Sequence, residues 1–261
     1  MSNNSILLKI ENKVATITLN RPEVFNSFNR EMAFSLHETL DACEKNDEVR
    51  AIVLTGNGKA FCAGQDLKEV TDPDLNPGFK KILEEHYNPI ITRLRAIKKP
   101  IVAAVNGVAA GAGANIALAC DIVVAHEKVS FIQAFSLIGL VPDSAGTFFL
   151  PRLIGFQKAL ALAMLGDKIS ASEADKIGMI YKCVSTEEFG DTIDALSLKL
   201  ANMPTKALGL IKELFNKSMT NDLESQLALE SKLQIEAAST DDYAEGVAAF
   251  IEKRKPNFQG K

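Results

Sequence analysis

The chain has 261 residues and carries 29 Lys and Arg against 33 Asp and Glu, a net charge of −4 at pH 7, with 47% hydrophobic and 24% charged residues. A chain of this length buries enough apolar surface to fold without disulfide or metal staples. The mildly acidic balance supplies no field for gathering DNA or RNA, which argues against nucleic acid as a partner.

Ile6–Ile10 and Val14–Leu19 alternate apolar and polar residues and predict two strands, with Asn12-Lys13 as the hairpin turn between them. Asn20-Arg-Pro-Glu23 breaks the second strand. Asn29 is placed to cap a helix over Arg30–Glu44, whose Met32, Leu36, Leu40 and Cys43 recur at helical spacing. Ala51–Thr55 is short and almost wholly apolar, the mark of a strand covered on both faces, and Gly56-Asn-Gly58 ends it. Thr71–Gly78 turns to Asp, Pro, Asn and Gly and predicts a mobile loop, followed by a helix over Phe79–Ala96 interrupted at Pro89. Pro100–Val105 predicts another buried strand. Small residues fill Gly107–Ala119, and Ile122–Ala125 and Val129–Ile132 follow as short strands.

From Phe156 onward the pattern is helical: Phe156–Leu165, Ala171–Ile177, Glu187–Ala201, Thr205–Met219, Leu223–Ala238 and Tyr243–Arg254, separated by Gly, Pro, Ser or Asn. Strand–helix alternation followed by helices predicts an α/β core with a helical C-terminal part. Cys43, Cys62, Cys120 and Cys183 form no CxxC pair, which argues against a zinc site or a disulfide framework and for reduced thiols in a cytoplasmic protein. No basic stretch precedes a long apolar run at the start, as a secretory leader would require. The apolar stretch Ile101–Ala119 is too broken, by Asn106 and glycines, to span a bilayer.

Nucleotide motifs fail. Gly111-Ala-Gly113 has Ile116 where the dinucleotide fingerprint needs Gly or Ala, and Gly56-Asn-Gly-Lys59 lacks the P-loop spacing. No GxSxG elbow exists, and His37, His86 and His126 read as structural, so nucleophilic hydrolysis is unsupported. Two segments of small residues stand out, Phe61-Cys-Ala-Gly-Gln-Asp-Leu67 and Ala104-Val-Asn-Gly-Val-Ala-Ala-Gly-Ala-Gly-Ala-Asn115. Small side chains let a ligand approach the main chain, and a helix opening after such a turn offers free N–H groups to an oxyanion. Tight packing of a helix on a strand would call for the same residues, and composition does not separate the two.

A longer series of motifs carries a family resemblance. In order they are Leu19-Asn-Arg-Pro-Glu23 with Asn26-Ser-Phe-Asn29, Thr55–Asp66, Lys99–Gly113, Gly139-Leu-Val-Pro-Asp143, Gly146-Thr147 and Ala249-Phe-Ile-Glu-Lys-Arg254. The series resembles the crotonase (enoyl-CoA hydratase/isomerase) superfamily over essentially the whole chain. Within it, Tyr87-Asn-Pro89, Asn106–Ala114, Ala134-Phe-Ser136, Leu150-Pro-Arg152 and Lys255-Pro256 are similar to the ring-1,2-epoxyphenylacetyl-CoA isomerases of phenylacetate breakdown.

The resemblance implies an α/β fold, a ββα-spiral core over residues 1–203 with a C-terminal helical trimerisation region over 204–261, assembled as a homotrimer or a dimer of trimers, although by periodicity alone these helices could equally cap their own core. It implies an acyl-CoA substrate, no metal, and no cofactor beyond the coenzyme A that enters with the substrate. Matched motif to motif, the backbone N–H groups of Gln65 and Ala112 form an oxyanion hole, in which side-chain identity is free. CoA lies against Glu23, Val24 and Phe25 and against Ala63, Gln65 and Leu67. The glutamates that activate water in hydratases fall on Asn115 and Phe135, neither of which is a carboxylate. Asp143 falls where the superfamily's isomerases keep a single acidic residue, and becomes the acid/base, although its position also suits a helix N-cap. Phe135, Phe148 and Phe149 are expected to bury it and raise its pKa. Asp66 is expected to hold its turn by accepting backbone N–H groups. Lys59, Lys68, Lys98, Lys99 and the Lys253-Arg-Lys255 run are charges that could meet the CoA phosphates, but each singly reads as a solvated surface charge. The implied activity is isomerisation of an enoyl-CoA or a ring-epoxide acyl-CoA; the alternatives are a hydratase of altered mechanism and a silent acyl-CoA binder.

Overall fold

In the computed structural model, which describes residues 5–261, the first two alternating segments pair as a hairpin. Strands β1 (Ile6–Glu11) and β2 (Val14–Leu19) run antiparallel, from Ile6 opposite Leu19 to Glu11 opposite Val14. Asn12 and Lys13 turn between them at φ 50° and 66°, the doubly left-handed geometry that matches strand twist. Helix α1 (Arg30–Lys45) starts where Asn29 Oδ1 accepts the Met32 N–H at 3.0 Å. Its far end is closed by Lys99, whose Nζ donates to Cys43 O and Asn46 O, both at 2.8 Å, so Lys99 is not the solvated charge expected.

The chain then shuttles between two sheets. β3 (Ala51–Gly56) joins the first sheet and β4 (Ala60–Cys62) the second, followed by α2 (Leu67–Thr71), α3 (Phe79–Lys81) and α4 (Asn88–Ala96). β5 (Ile101–Val105) returns to the first sheet, β6 (Val108–Ala110) to the second, and α5 (Ala112–Leu118) follows. β7 (Ile122–His126) and β8 (Ser130–Ile132) repeat the step, before α6 (Gly146–Ile154) and α7 (Phe156–Leu165). Two strands, one in each sheet, and then helix: this is the ββα spiral that the resemblance implies. β9 (Lys168–Ser170), α8 (Ala171–Lys176) and β10 (Lys182–Val184) complete the sheets, and α9 (Phe189–Ala201), α10 (Thr205–Ser218), α11 (Leu223–Ala238) and α12 (Asp241–Ile251) follow. The first sheet has the order β1-β2-β3-β5-β7-β10, parallel from β2 onward; the second has the order β4-β6-β8-β9, parallel except at β9.

The period-2 rule explains why the first sheet reads as continuously apolar. Ile52, Leu54, Ile101, Ala103 and Val105 join the cluster that contains α1 residues Met32, Leu36 and Leu40. The alternate residues Ala51, Val53, Val102, Ala104 and Val124 join Ile193 and Leu200 of α9 on the other face. α10 is docked on the core by a buried ion cluster, in which Lys212 and Arg95 both reach Asp121, at 2.8 and 3.0 Å. The end of the chain is tied down too. Arg50 donates to Met203 O, Thr205 Oγ1 and Phe258 O, while Asp242 accepts the N–H groups of Gln259 and Gly260.

Several elements depart from the sequence reading. The three-residue strands β6, β9 and β10 were not predicted, β4 and the short helices α2 and α6 had no predicted bounds, and the stretch after Phe156 is not wholly helical. The expected break at Pro89 lies earlier, as a π-helical stretch over Ile82–Tyr87 in which the Asn88 N–H reaches back to Leu83 O. Pro89 has no N–H and its ring would crowd the carbonyl four residues before it, so the helix loosens ahead of the proline. Among the described residues no helix is long and apolar enough to cross a membrane.

Candidate active site

The parallel strands β4, β6 and β8 end side by side, and the segment leaving each carries candidate residues: Ala63–Leu67 after β4, Gly111–Asn115 after β6, and Gln133–Phe135 after β8. Of the second sheet only β8 lies within a strand predicted with bounds, yet this sheet is what gathers the motifs at one edge, as the carboxyl ends of parallel strands commonly do.

The Ala63–Asp66 loop is fixed by backbone bonds. Phe28 N donates to Gly64 O at 2.7 Å and Asp66 N to Phe28 O at 2.8 Å, a parallel bridge that leaves the N–H of Gln65 facing the opposite way. Ala112 opens α5, so no earlier carbonyl in its helix can accept its N–H. The two groups lie on touching segments: a Cβ placed on Gly64 would stand 3.5 Å from Ala112 N. Gly64 sits at φ 93° and Gly111 at φ 53°, where side chains are disfavoured. Both readings of the small residues hold here, because a Cβ on Gly113 would come 2.3 Å from Cys62 O, so helix and strand also pack tightly.

Asp143 lies in the turn before α6, half-buried. It does not cap the helix: its Oδ1 accepts from Ser144 Oγ at 2.8 Å, and Ala145 holds the cap position. Burial pushes the Asp143 carboxyl above its ordinary value, and the Ser144 hydroxyl pulls it part of the way back. The turn uses two non-glycine residues at positive φ, Ser144 at 49° and Ala145 at 59°. It is braced from behind: Asn115 Nδ2 donates to the Asp143 carbonyl at 2.8 Å, and Asn115 Oδ1 accepts from Gln133 Nε2 at 2.8 Å. Asn115 is 1% exposed and both ends of its amide are engaged. Phe135 is buried, its ring 3.7 Å from where a Cβ on Gly111 would stand, so an apolar ring backs the turn that leads into α5. Phe149 is buried as expected. Phe148 is not; it lies exposed beneath the Arg152 guanidinium, 3.8 Å from the ring centroid.

Glu23, Val24 and Phe25 form and follow a single 3-10 turn, closed by Phe25 and Asn26 at φ 53° and 56°. The turn is stitched to the first loop, because Ala63 N donates to Phe25 O at 3.0 Å and Asn26 Nδ2 to Ala60 O at 2.8 Å. Phe25, Ala63 and Leu67 are exposed on this joined pair of loops. Asp66 accepts the Lys68 N–H as expected, and also pairs with Arg21 at 2.8 Å, a partner the sequence did not suggest. Gln133, Ser144, Glu69 and Tyr87 touch the candidate residues and were not anticipated; only Tyr87 had a signal, in the Tyr87-Asn-Pro89 motif. Among the described residues no three His, Cys, Asp or Glu side chains gather as a metal would require.

Comparison with known proteins supplies independent bearings. The profile of the family Enoyl-CoA hydratase/isomerase matches residues 9–261. The 1,2-epoxyphenylacetyl-CoA isomerase of Escherichia coli is 48% identical over 98% of this chain and 98% of its own length. A Rhodobacter capsulatus protein named as an enoyl-CoA hydratase is 43% identical over 100% of both chains. A crystal structure from Mycobacterium abscessus, described as an enoyl-CoA hydratase/isomerase, superposes with TM-score 0.91 at 36% identity, covering 98% of this chain and 100% of that one.

Proposed function

This chain belongs to the enoyl-CoA hydratase/isomerase family, and from that premise we propose that it isomerises an acyl-CoA, with Asp143 as the acid/base and the N–H groups of Gln65 and Ala112 as the oxyanion hole. What supports this reading is Asp143, a half-buried carboxyl in the turn before α6, together with the chemistry of the two positions that hold water-activating glutamates in hydratases: a fully engaged amide, Asn115, and a phenyl ring, Phe135.

The chemistry follows from these groups. Asp143 takes a proton from C2 of a 3-enoyl thioester, and the electron pair spreads over the thioester oxygen and C4. The two N–H donors meet the developing negative charge on that oxygen; such donors are each worth about 3 kcal/mol in the transition state. The same carboxyl then returns its proton at C4, leaving a conjugated 2-enoyl-CoA of unchanged mass. A raised pKa suits a group that must both take and return a proton. The coenzyme A arrives with the substrate, and the reaction as written needs no other cofactor. Phe25, Ala63 and Leu67 with the Glu23-Val24 turn are the proposed CoA rim. The name of the Escherichia coli relative brings a ring epoxide of a phenylacetyl thioester within the same reading, since it too is an isomerisation beside a thioester.

The name of the Rhodobacter capsulatus relative favours hydration. That reading needs a water activated by a carboxylate, and neither Asn115 nor Phe135 offers one. Turnover of a 3-enoyl-CoA in deuterated water separates the two. Formation of 2-enoyl-CoA without added water supports the isomerase; a product heavier by one water overturns it. Failure with 3-enoyl-CoA moves the test to ring-epoxide thioesters, and failure there as well leaves the silent binder. Assembly as a trimer through α10–α12 belongs to the same proposal. It is supported by the exposed Phe215, Leu227, Ile235, Phe250 and Ile251 of these helices and is checked by the mass in solution.

A further inference from the structure

The side chain of Gln65 is held at both atoms of its amide. Tyr87 Oη donates to Oε1 at 2.9 Å, and Nε2 donates to Glu69 Oε2 at 2.7 Å. Both partners are themselves fixed. Tyr87 is 1% exposed, with its ring edge-on to Phe28 at 5.9 Å between centroids. Glu69 is 7% exposed, and its other oxygen accepts the Arg30 N–H that opens α1, at 2.7 Å. Burial pushes the Tyr87 phenol well above its ordinary range, so it stays a neutral donor.

Two features of the backbone give this clamp a purpose. The peptide that carries the Gln65 N–H has Gly64 on its other side, at φ 93°, and a glycine leaves that peptide plane freer to rotate than any other residue would. Tyr87 is the last residue of the π-helical stretch Ile82–Tyr87, where one extra residue per turn changes which side chain faces inward. An irregular, less favourable turn thus ends on the side chain that anchors Gln65, and such bulges are frequent at functional sites.

We propose that Tyr87, together with Glu69, is a positioning residue that locks the Gly64–Gln65 peptide so that its N–H faces the thioester oxygen; this rests on the oxyanion-hole reading above. The side chain at position 65 is then not free to vary, although the donor itself is main chain. A hydrogen-bond donor that is misaligned in the ground state loses most of its worth in the transition state, so loss of the clamp lowers kcat more than it raises KM.

The test uses acetoacetyl-CoA, whose enolate form absorbs distinctly and is favoured only when donors meet the thioester oxygen. Wild type, Tyr87→Phe, Gln65→Met and the double variant are compared for the enolate share of the bound ligand and for turnover of trans-3-hexenoyl-CoA. Tyr87→Phe keeps the ring and is expected to lower both the enolate share and kcat, the latter about tenfold, with KM within about twofold. In the Gln65→Met background the same change adds nothing further, because the clamp is already gone. An unchanged enolate share in Tyr87→Phe overturns the proposal, as does an equal loss in both backgrounds, even where near-ultraviolet dichroism shows an intact fold. Absence of enolate on the wild type overturns the oxyanion-hole reading itself.

Discussion

In its proposed role as acid/base, Asp143 works at a cost in stability. Its carboxyl is held above the ordinary value by burial, so the native state binds a proton more tightly than the unfolded chain does. Stability from this group is therefore present at low pH and lost as pH rises through the native value. At neutral pH the ionised, half-buried carboxylate is a liability. Asp143→Asn is expected to raise Tm in a calorimetric scan at pH 7 while lowering kcat by about 10²–10⁴-fold, the usual worth of an acid/base group. The Ser144 hydroxyl pulls the same pKa downward. Ser144→Ala should thus move the acid limb of the kcat/KM profile to higher pH; a limb that stays or moves to lower pH removes Asp143 as the base. Asp143 was legible in the sequence through its motif. Its brace was not, because Asn115 and Gln133 meet it only across the junction of β6, β8 and the turn before α6.

At the scale of elements, the site depends on how closely α5 approaches β4. Gly113 has no room for a Cβ: Cys62 O would lie 2.3 Å away and Cys62 Cβ 2.7 Å away, and the first of these belongs to backbone. Gly113→Ala is expected to cost about 1–3 kcal/mol in a denaturant titration, as overpacking does, and to push Ala112 away from Gly64. The hairpin and α1 were readable from their alternation and helical period, and the buried strands β3, β5 and β7 from unbroken apolar runs of four residues or more. The second sheet was not, since β4, β6, β8 and β9 are three residues each, too short to show a period. Only β8 fell within a predicted strand. The π-helical stretch was likewise unreadable in place: Pro89 signals a fault in the helix but not how far ahead of it the extra residue lies.

Across the whole molecule, acid should loosen the fold before the carboxylates titrate. His37 and His86 are buried, and burial lowers both below the ordinary 6.5. Below pH 6.5 the unfolded chain takes up protons that the native histidines refuse, so stability falls as pH drops from there toward the native values. His37 keeps one partner, the His86 carbonyl at 2.9 Å, whereas neither ring nitrogen of His86 has one. His86→Leu removes a titrating group and two unpartnered nitrogens, and should raise Tm and flatten its decline between pH 7 and pH 5. An unchanged slope would place the acid sensitivity elsewhere.

The sequence by itself determined the class of fold, the longer strands and helices and the family, and it supplied the candidate site residues, because each is written in local periods or in contiguous motifs. The tertiary structure alone decided how those motifs meet. Short strands carry Gln65, Ala112 and Phe135 to one edge, and the hydrogen bonds that hold the Gln65 side chain and the Asp143 carbonyl come from Tyr87 and Glu69 and from Asn115, itself held by Gln133. A period records which face of an element is buried. It does not record which partner, tens of residues away, will satisfy a polar group once it is there.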